Sequence, residues 1–290
     1  MSVYDGATIL VTGGTGSIGS EIVRQLLLNY KPRSVRIFSR DETAQHELAH
    51  ELVSKQDRIR FLIGDVRDRQ RLRRAMHGVD LVFHAAALKH VPACEYNAFE
   101  AVETNVRGTQ NIINAALDAG VKKVLLISTD KAVNPVSVMG ATKLLAEKLI
   151  TSANRWASTT QFACVRFGNV TGSRGSLVPT VKRQIARGGP VTVTDPCMTR
   201  YCISIECAGK ACLEAMRVTG AGDIYVPDML CLNIMDIIDD AMVASGKDVP
   251  VVTTGIRPGE KLHEELFGPG EEGRSEHFDA GYTLVHGKGE

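Results

Sequence analysis

No stretch of this chain approaches the ~20 consecutive apolar residues that a helix needs to span a bilayer. Its opening, Met-Ser-Val-Tyr-Asp-Gly, lacks the charged and apolar regions of a secretory signal, so the cytoplasm is the expected compartment and no membrane is expected as a partner. Neither sign of charge is in excess: 34 basic against 33 acidic residues leave a formal net charge of +1. That balance gives no electrostatic footprint for nucleic acid. The seven cysteines are an odd number and include no tight C-x2-C pair. Cys197, Cys202, Cys207 and Cys212 recur every five residues, which is not the ligand spacing of zinc or iron–sulfur sites. No metal is therefore expected, and the thiols read as reduced and buried. No repeat or low-complexity linker divides the chain.

What is present is ordinary for a soluble enzyme: 290 residues, 44% hydrophobic and 23% charged, enough for one large domain or a domain with a lobe. The run Ala7-Thr8-Ile9-Leu10-Val11-Thr12 is apolar and β-branched, and Gly13-Gly14-Thr15-Gly16-Ser17-Ile18-Gly19 follows at once. Ile22, Val23, Leu26 and Leu27 then repeat at helical spacing. A glycine pattern set between strand and helix is far more specific than the pattern alone. Gly13, Gly16 and Gly19 permit a tight turn and let backbone N–H groups approach a pyrophosphate at the helix start.

A second strand, 34–38, ends in Ser39-Arg40-Asp41-Glu42. Arg40 suits a ribose 2′-phosphate or the face of an adenine, whereas Asp41 and Glu42 stand where they would cap the helix predicted over 42–53. NADP is accordingly favoured over NAD. The strand at 59–63 leads into Gly64-Asp65-Val66, and the strand at 80–83 into His84-Ala85-Ala86-Ala87, whose small side chains let a ring or ribose lie against the backbone. This alternation predicts an α/β fold, a Rossmann-type doubly wound parallel sheet with ligands at the carboxyl ends of its strands. A helix predicted from about Tyr96 to Ala119 carries Asn105 amid apolar residues, a place for a structural bond or a relay. From about Ser173 the alternation loosens, so residues 1–172 are predicted as the NADP-binding domain. Residues 173–290 are predicted mainly as a smaller mixed substrate lobe, with some chain returning to the core. The tail after Gly268, rich in glycine and charge, is expected to be partly mobile.

The chemistry is expected within 128–143. The apolar run Val124–Ile127 delivers a hydroxyl pair, Ser128 and Thr129, followed by Asp130 and Lys131. Pro135 ends the extended segment, and a helix follows on which Met139 and Lys143, four apart, share a face.

Together these blocks resemble the extended short-chain dehydrogenase/reductases, and within them the nucleotide-sugar 4,6-dehydratases of polysaccharide and flagellin-glycan biosynthesis. The likeness spans nearly the whole chain. The blocks His84–Pro92 and Ser128–Ala132 carry it more specifically than the glycines, and resemble UDP-N-acetylglucosamine 4,6-dehydratases. One further residue is missing. That family sets Tyr-x-x-x-Lys after the strand-end hydroxyl, and here Met139 stands at the tyrosine position, as in the large membrane-anchored relatives.

The resemblance implies that Thr15, Gly16, Ser17 and Ile18 wrap the NADP pyrophosphate, Ser39 and Arg40 hold the 2′-phosphate, and Asp65 and Val66 the adenine. Ala86 and Lys89 would face nicotinamide ribose and substrate, with Gly13, Gly19, Ala85, Asn105, Lys143 and Val170 completing the cofactor set. Lys89, Asn169, Ser173, Arg174, Arg200, Arg257 and Glu260 would line the pocket for a UDP-N-acetylhexosamine. The implied catalytic set is Thr129, Asp130, Lys131, Met139 and Lys143. In it Asp130 protonates the departing C6 hydroxyl and Lys131 takes the C5 proton. A homo-oligomer is the expected assembly. A UDP-sugar 4-epimerase and a non-catalytic NADP-binding protein are the alternatives left open by Met139.

Overall fold

The computed structural model describes residues 2–173 and 175–287; Arg174, a candidate substrate contact, lies outside the described residues. Along the amino-terminal part, β1 (Thr8–Thr12), α1 (Ser17–Asn29), β2 (Ser34–Ser39), α2 (Glu42–Glu51), β3 (Ile59–Ile63), α3 (Arg69–Met76) and β4 (Leu81–His84) alternate in strict order. Each apolar, β-branched run feeds a strand, and each polar turn starts a helix. Asp41 caps α2 by accepting from the Ala44 N–H at 2.9 Å, and Asp68 caps α3 through Arg71 N–H at 2.9 Å.

After β4 come α4 (Val91–Tyr96), α5 (Ala98–Ala101), a π-helical turn (Val102–Arg107), α6 (Gly108–Ala119), β5 (Lys123–Thr129), α7 (Val138–Ala153) and β6 (Gln161–Phe167). The single helix predicted from Tyr96 to Ala119 is thus broken. Asn97 leaves helical geometry at φ −120° and ψ 56°, and six residues then wind as a π turn.

The remaining elements are β7 (Asn169–Thr171), α8 (Leu177–Ala186), β8 (Val191–Val193), β9 (Thr199–Ser204), α9 (Ile205–Val218), β10 (Ile224–Pro227), β11 (Leu230–Asn233), α10 (Ile234–Ser245), β12 (Val251–Thr253), β13 (Ser275–Phe278) and β14 (Tyr282–Val285). Among the described residues the main sheet has nine strands in the order β3-β2-β1-β4-β5-β6-β10-β14-β13. It is parallel from β3 to β10, and β14 and β13 add antiparallel at the far edge. The expected loose tail after Gly268 is therefore largely a hairpin, because its alternating apolar residues, Tyr282 and Leu284, pack into the core.

Successive residues of a strand face opposite sides, and both sides of this sheet are covered. Ile9 and Val11 of β1 join a core with α1 and α9, whereas Leu10 between them joins a core with α3 and α6. A separate apolar cluster links α8, β8 and α10 through Val181, Ile185, Val191, Ile234 and Ile238. The chain order reverses between β1 and β4, which opens a crevice at the carboxyl ends of the strands.

The thiols depart from expectation: Cys94, Cys164 and Cys212 are buried, but Cys197, Cys207 and Cys231 are exposed. Of the four cysteines spaced by five, Cys197 precedes β9, Cys202 lies within it, and Cys207 and Cys212 both lie on α9, where a spacing of five puts them on different faces.

Candidate active site

The glycine turn is built for close approach. Gly13 has φ +64°, and a Cβ there would stand 2.7 Å from Ala86 N and 2.8 Å from Ala85 O. A Cβ on Gly19 would meet Gly13 O at 2.3 Å, so α1 can start directly against the turn only with glycine. The start of α1, at Gly16, has no side-chain cap and no acid in its first turn, which suits it to a phosphate. On one side of the turn lies a hollow of about 220 Å³ bounded by Thr15, Ser39, Arg40, Asp65, Val66 and Ala86. On the other lies a cleft of about 590 Å³ bounded by Ser17, Ile18, Lys89, Thr129, Lys131, Met139, Lys143, Asn169, Val170 and Ser173. The two share Gly13, Gly16 and Ala85, so one groove passes across the turn.

At the outer end, Asp41 is engaged in capping α2, and Arg40 is exposed with its guanidinium 3.5 Å from Asp65. Burial opposes ionisation of Asp65, but hydrogen bonds and charge from Arg67 outweigh it and hold its carboxyl below the ordinary range. Ser39 is held by the Gln45 amide, which donates to its hydroxyl at 3.0 Å and to its carbonyl at 3.1 Å.

At the inner end, β5 runs into a 3-10 turn over Asp130–Ala132. Asp130 is completely buried. Its Oδ1 accepts from Thr129 Oγ1 at 2.8 Å, from Lys131 N–H at 2.8 Å and from Lys131 Nζ at 3.0 Å. Lys131 Nζ also donates to Asn169 Oδ1 at 3.2 Å. Gly140 makes this packing possible, because a Cβ there would stand 2.3 Å from Lys131 O. Ser137 caps α7 by accepting from Gly140 N–H at 3.0 Å.

Met139 and Lys143 share a face of α7, as the spacing predicts, and both bound the cleft. Met139 also packs with Cys94 and Ala101 as an apolar wall. Lys143 Nζ donates to Ile127 O at 2.7 Å. Burial pushes its ammonium down to about 8, against the raising pull of Glu147.

Other candidates stand elsewhere. Asn105 does not border the groove; it brackets the loop after β4, accepting from Leu88 N–H at 2.8 Å and donating to Leu88 O at 3.0 Å and Thr142 Oγ1 at 2.9 Å. The π turn sets it there. Arg200 is buried with its guanidinium turned to backbone, donating to Thr199 O at 2.7 Å, Lys261 O at 3.0 Å and Leu262 O at 3.1 Å. These bonds hold the 261–262 backbone rather than offer a free phosphate fork. Glu260 accepts from Thr194 Oγ1 at 3.1 Å, and Arg257 is exposed.

Two residues at the site escaped the sequence reading of roles. Glu264 comes from a distant loop, and its carboxylate lies 3.4 Å from Lys131 Nζ. Ser128, read only as one of a hydroxyl pair, borders the cleft with a buried hydroxyl that has no partner among the described residues. Nothing in local spacing signals Glu264, since only the fold brings residue 264 to residue 131.

A family model described as polysaccharide biosynthesis protein matches residues 9–286. The chain belongs to that family. It is 42% identical to a UDP-N-acetylglucosamine 4,6-dehydratase (inverting) of Campylobacter jejuni, over 97% of this chain and 84% of that protein. It is 54% identical to an uncharacterised membrane protein of Methanocaldococcus jannaschii, over 91% of this chain and 81% of that protein. Proteins named UDP-glucose 4-epimerase in Rickettsia typhi and its relatives are 38% identical over 96% of this chain and 82% of theirs. The X-ray structure of Pen from Bacillus thuringiensis superposes with a TM-score of 0.92 at 41% identity, covering 97% of this chain and 88% of that one. The membership expected from the motifs stands: this is an extended short-chain dehydrogenase/reductase of the nucleotide-sugar dehydratase group. The fold implies a nicotinamide dinucleotide, and the uncapped helix start above a turn that admits no Cβ fits its diphosphate. Among the described residues no helix is long and apolar enough to cross a membrane.

Proposed function

We propose that this protein converts UDP-N-acetylglucosamine to a UDP-4-keto-6-deoxy acetamido sugar, with NADP as its resident cofactor. The observation that carries the reading is the Asp130–Lys131 pair: a fully buried carboxylate hydrogen-bonded to a lysine that borders the cleft beside Lys143. Thr15 to Gly19 would hold the diphosphate, and Ser39 with Arg40 the 2′-phosphate. NADP is supported by the end of β2, where the nearest acid, Asp41, is engaged as a helix cap and Arg40 is exposed. When bound, the nicotinamide supplies a reversible hydride acceptor for the sugar.

A ketone at C4 makes the C5 proton acidic, so a modest base suffices to remove it. Lys131 takes that proton, and Asp130 gives one to the C6 hydroxyl, which leaves as water; hydride returned to C6 and a proton to C5 would then give the 6-deoxy sugar. Met139 carries no exchangeable proton; in its place Lys143, titrating near 8, accepts the proton of the C4 hydroxyl. Residues 1–172 would form the cofactor half, and the lobe around α8 and α10 would cover the sugar.

Incubation with UDP-N-acetylglucosamine and NADP⁺, followed by proton NMR, is expected to show the 4-keto-6-deoxy product, and Lys131→Ala is expected to abolish it. Binding of the nucleotide sugar with no keto product over hours would sink the proposal. The rickettsial relatives motivate a second reading, a UDP-sugar 4-epimerase. An epimerase would invert C4 and keep the C6 hydroxyl, which the same spectrum reports.

A further inference from the structure

Lys131 is held from three elements. Its Nζ has Asp130 Oδ1 at 3.0 Å on its own turn, Asn169 Oδ1 at 3.2 Å on β7 and Glu264 Oε1 at 3.4 Å on the loop beyond β12. Its ammonium donates to Asp130 and Asn169 and has Glu264 at ion-pair distance. Two of them are carboxylates, so the cluster holds one lysine between two acids. Both acids are buried, with side-chain exposures of 0% for Asp130 and 4% for Glu264. Each also keeps one buried oxygen, Asp130 Oδ2 and Glu264 Oε2, with no partner among the described residues. Native buried polar atoms are nearly always satisfied, so two unfilled acceptors about one lysine call for a role.

The loop carrying Glu264 is fixed on both flanks. Arg200 holds the carbonyls of Lys261 and Leu262, and Arg166 Nη1 donates to Leu266 O at 2.7 Å. Lys261 Nζ donates to Val133 O at 2.8 Å, and Asn134 Nδ2 to Glu265 Oε2 at 2.5 Å, tying the loop to the chain just past Lys131. Like Asp130, Glu264 does not border the cleft; the cation it faces is Lys131, and it acts through that lysine.

We propose that Glu264 is a positioning residue whose fixed negative charge aims Lys131 at the cleft and retains the one mobile proton that Asp130 and Lys131 share. The role rests on the dehydratase reading. The elimination step itself draws only on that one proton. With it on Asp130, the neutral Lys131 amine takes the C5 proton while Asp130 gives its own to the C6 oxygen. The C5–H and C6–O bonds break, the C5–C6 double bond forms and water leaves. Hydride returned to C6 and a proton entering C5, matching the one Lys143 took from the C4 hydroxyl, then complete the 6-deoxy sugar, while Lys131 returns its own proton to Asp130. Glu264 takes no part in the transfer; its carboxylate, 3.4 Å from Lys131 Nζ, favours keeping the proton on the pair. The other groups facing the cluster are Tyr201 and Cys202 on β9, both pushed upward, by burial first, and so neutral near pH 7. Lys261 and Glu265 flank it on the loop, 4.0 Å apart from each other.

Glu264→Gln keeps the shape and removes the charge. In the cofactor-loaded protein with UDP-N-acetylglucosamine, kcat is expected to fall by about tenfold or more with KM unchanged. The alkaline limb of the kcat–pH profile is expected to move about one unit lower, since a like-sized loss of a neighbouring charge does this. Glu264→Asp keeps the charge but draws it back, so its limb should stay in place while kcat falls. This variant carries the test should the glutamine protein not fold. A glutamine variant with the parent's kcat and limb, or an aspartate variant with unchanged kcat, overturns the role of Glu264. Loss of thermal stability with an unmoved limb overturns it too, leaving a purely structural residue. Absence of keto product from the parent protein instead overturns the dehydratase reading, and this role with it.

Discussion

Two buried clusters of one cation between two carboxylates lie in the same molecule, and they are finished differently. Arg166 on β6 donates to Glu147 at 2.8 and 3.1 Å and to Glu271 at 2.7 and 3.0 Å, filling all four carboxylate oxygens. Lys131, between Asp130 and Glu264, leaves an oxygen of each acid unfilled. A guanidinium is a planar fork with five donors that stays charged, so it closes a network. A lysine has fewer donors and can give up its proton, so it leaves acceptors over and a proton to move. The first cluster binds elements together; the second leaves an oxygen of each acid open, which suits the proposed proton transfer.

Breaking each cluster should therefore fail in a different currency. Lys131→Ala is expected to lower turnover by about 10²–10⁴-fold, the usual worth of a positioned proton-transfer group, as its larger effect, although it also strands Asp130 and Glu264. Arg166→Met should do the reverse, stranding two buried carboxylates at a cost of about 3–5 kcal/mol, read by urea denaturation. An Arg166 variant as stable as the parent, or a Lys131 variant that melts early but still turns over, would erase the distinction. Gly140→Ala sharpens it, because the added methyl must displace Lys131 O from 2.3 Å. Activity is expected to fall by about tenfold or more through misplacement of the base, with a stability loss of about 1–3 kcal/mol from overpacking.

The smallest effect is one of pH. His84 is buried between Thr12 and Thr109, and burial first, then Lys143, pushes its imidazolium down from 6.5 to about 3. Between those values the unfolded chain binds a proton that the folded chain refuses. Stability is thus full above about 6.5 and declines as pH falls toward 3. Denaturation midpoints of His84→Gln should decline less steeply across that window, whereas an identical slope would acquit His84.

The strand–glycine–helix opening and the alternation through β6 were legible because their signals are local: period, turn residues and caps lie within a few positions. The face shared by Met139 and Lys143 was legible for the same reason. Asn105 was legible as buried but not as a bracket for Leu88, because that bond depends on a π turn that periodicity does not register. Arg200 read as a substrate contact because a sequence shows a guanidinium's chemistry and not its direction, and here it points at backbone. Glu264 was invisible as a neighbour of Lys131, since 133 residues separate them and only loops held by Arg166 and Arg200 bring them together. The hairpin of β13 and β14 was hidden by composition, its charged outer residues masking a two-residue alternation.

That hairpin has a consequence for how the protein comes into being. Synthesis runs from the amino end, so β1 to β6 and the whole glycine turn can emerge while Glu264, Glu271, β13 and β14 are still to be made. Until they arrive, Arg166 has one carboxylate instead of two, Lys131 lacks its second carboxylate, and β10 presents a bare sheet edge. The nascent chain can thus complete a dinucleotide groove before it can hold the proposed acid–base pair in place.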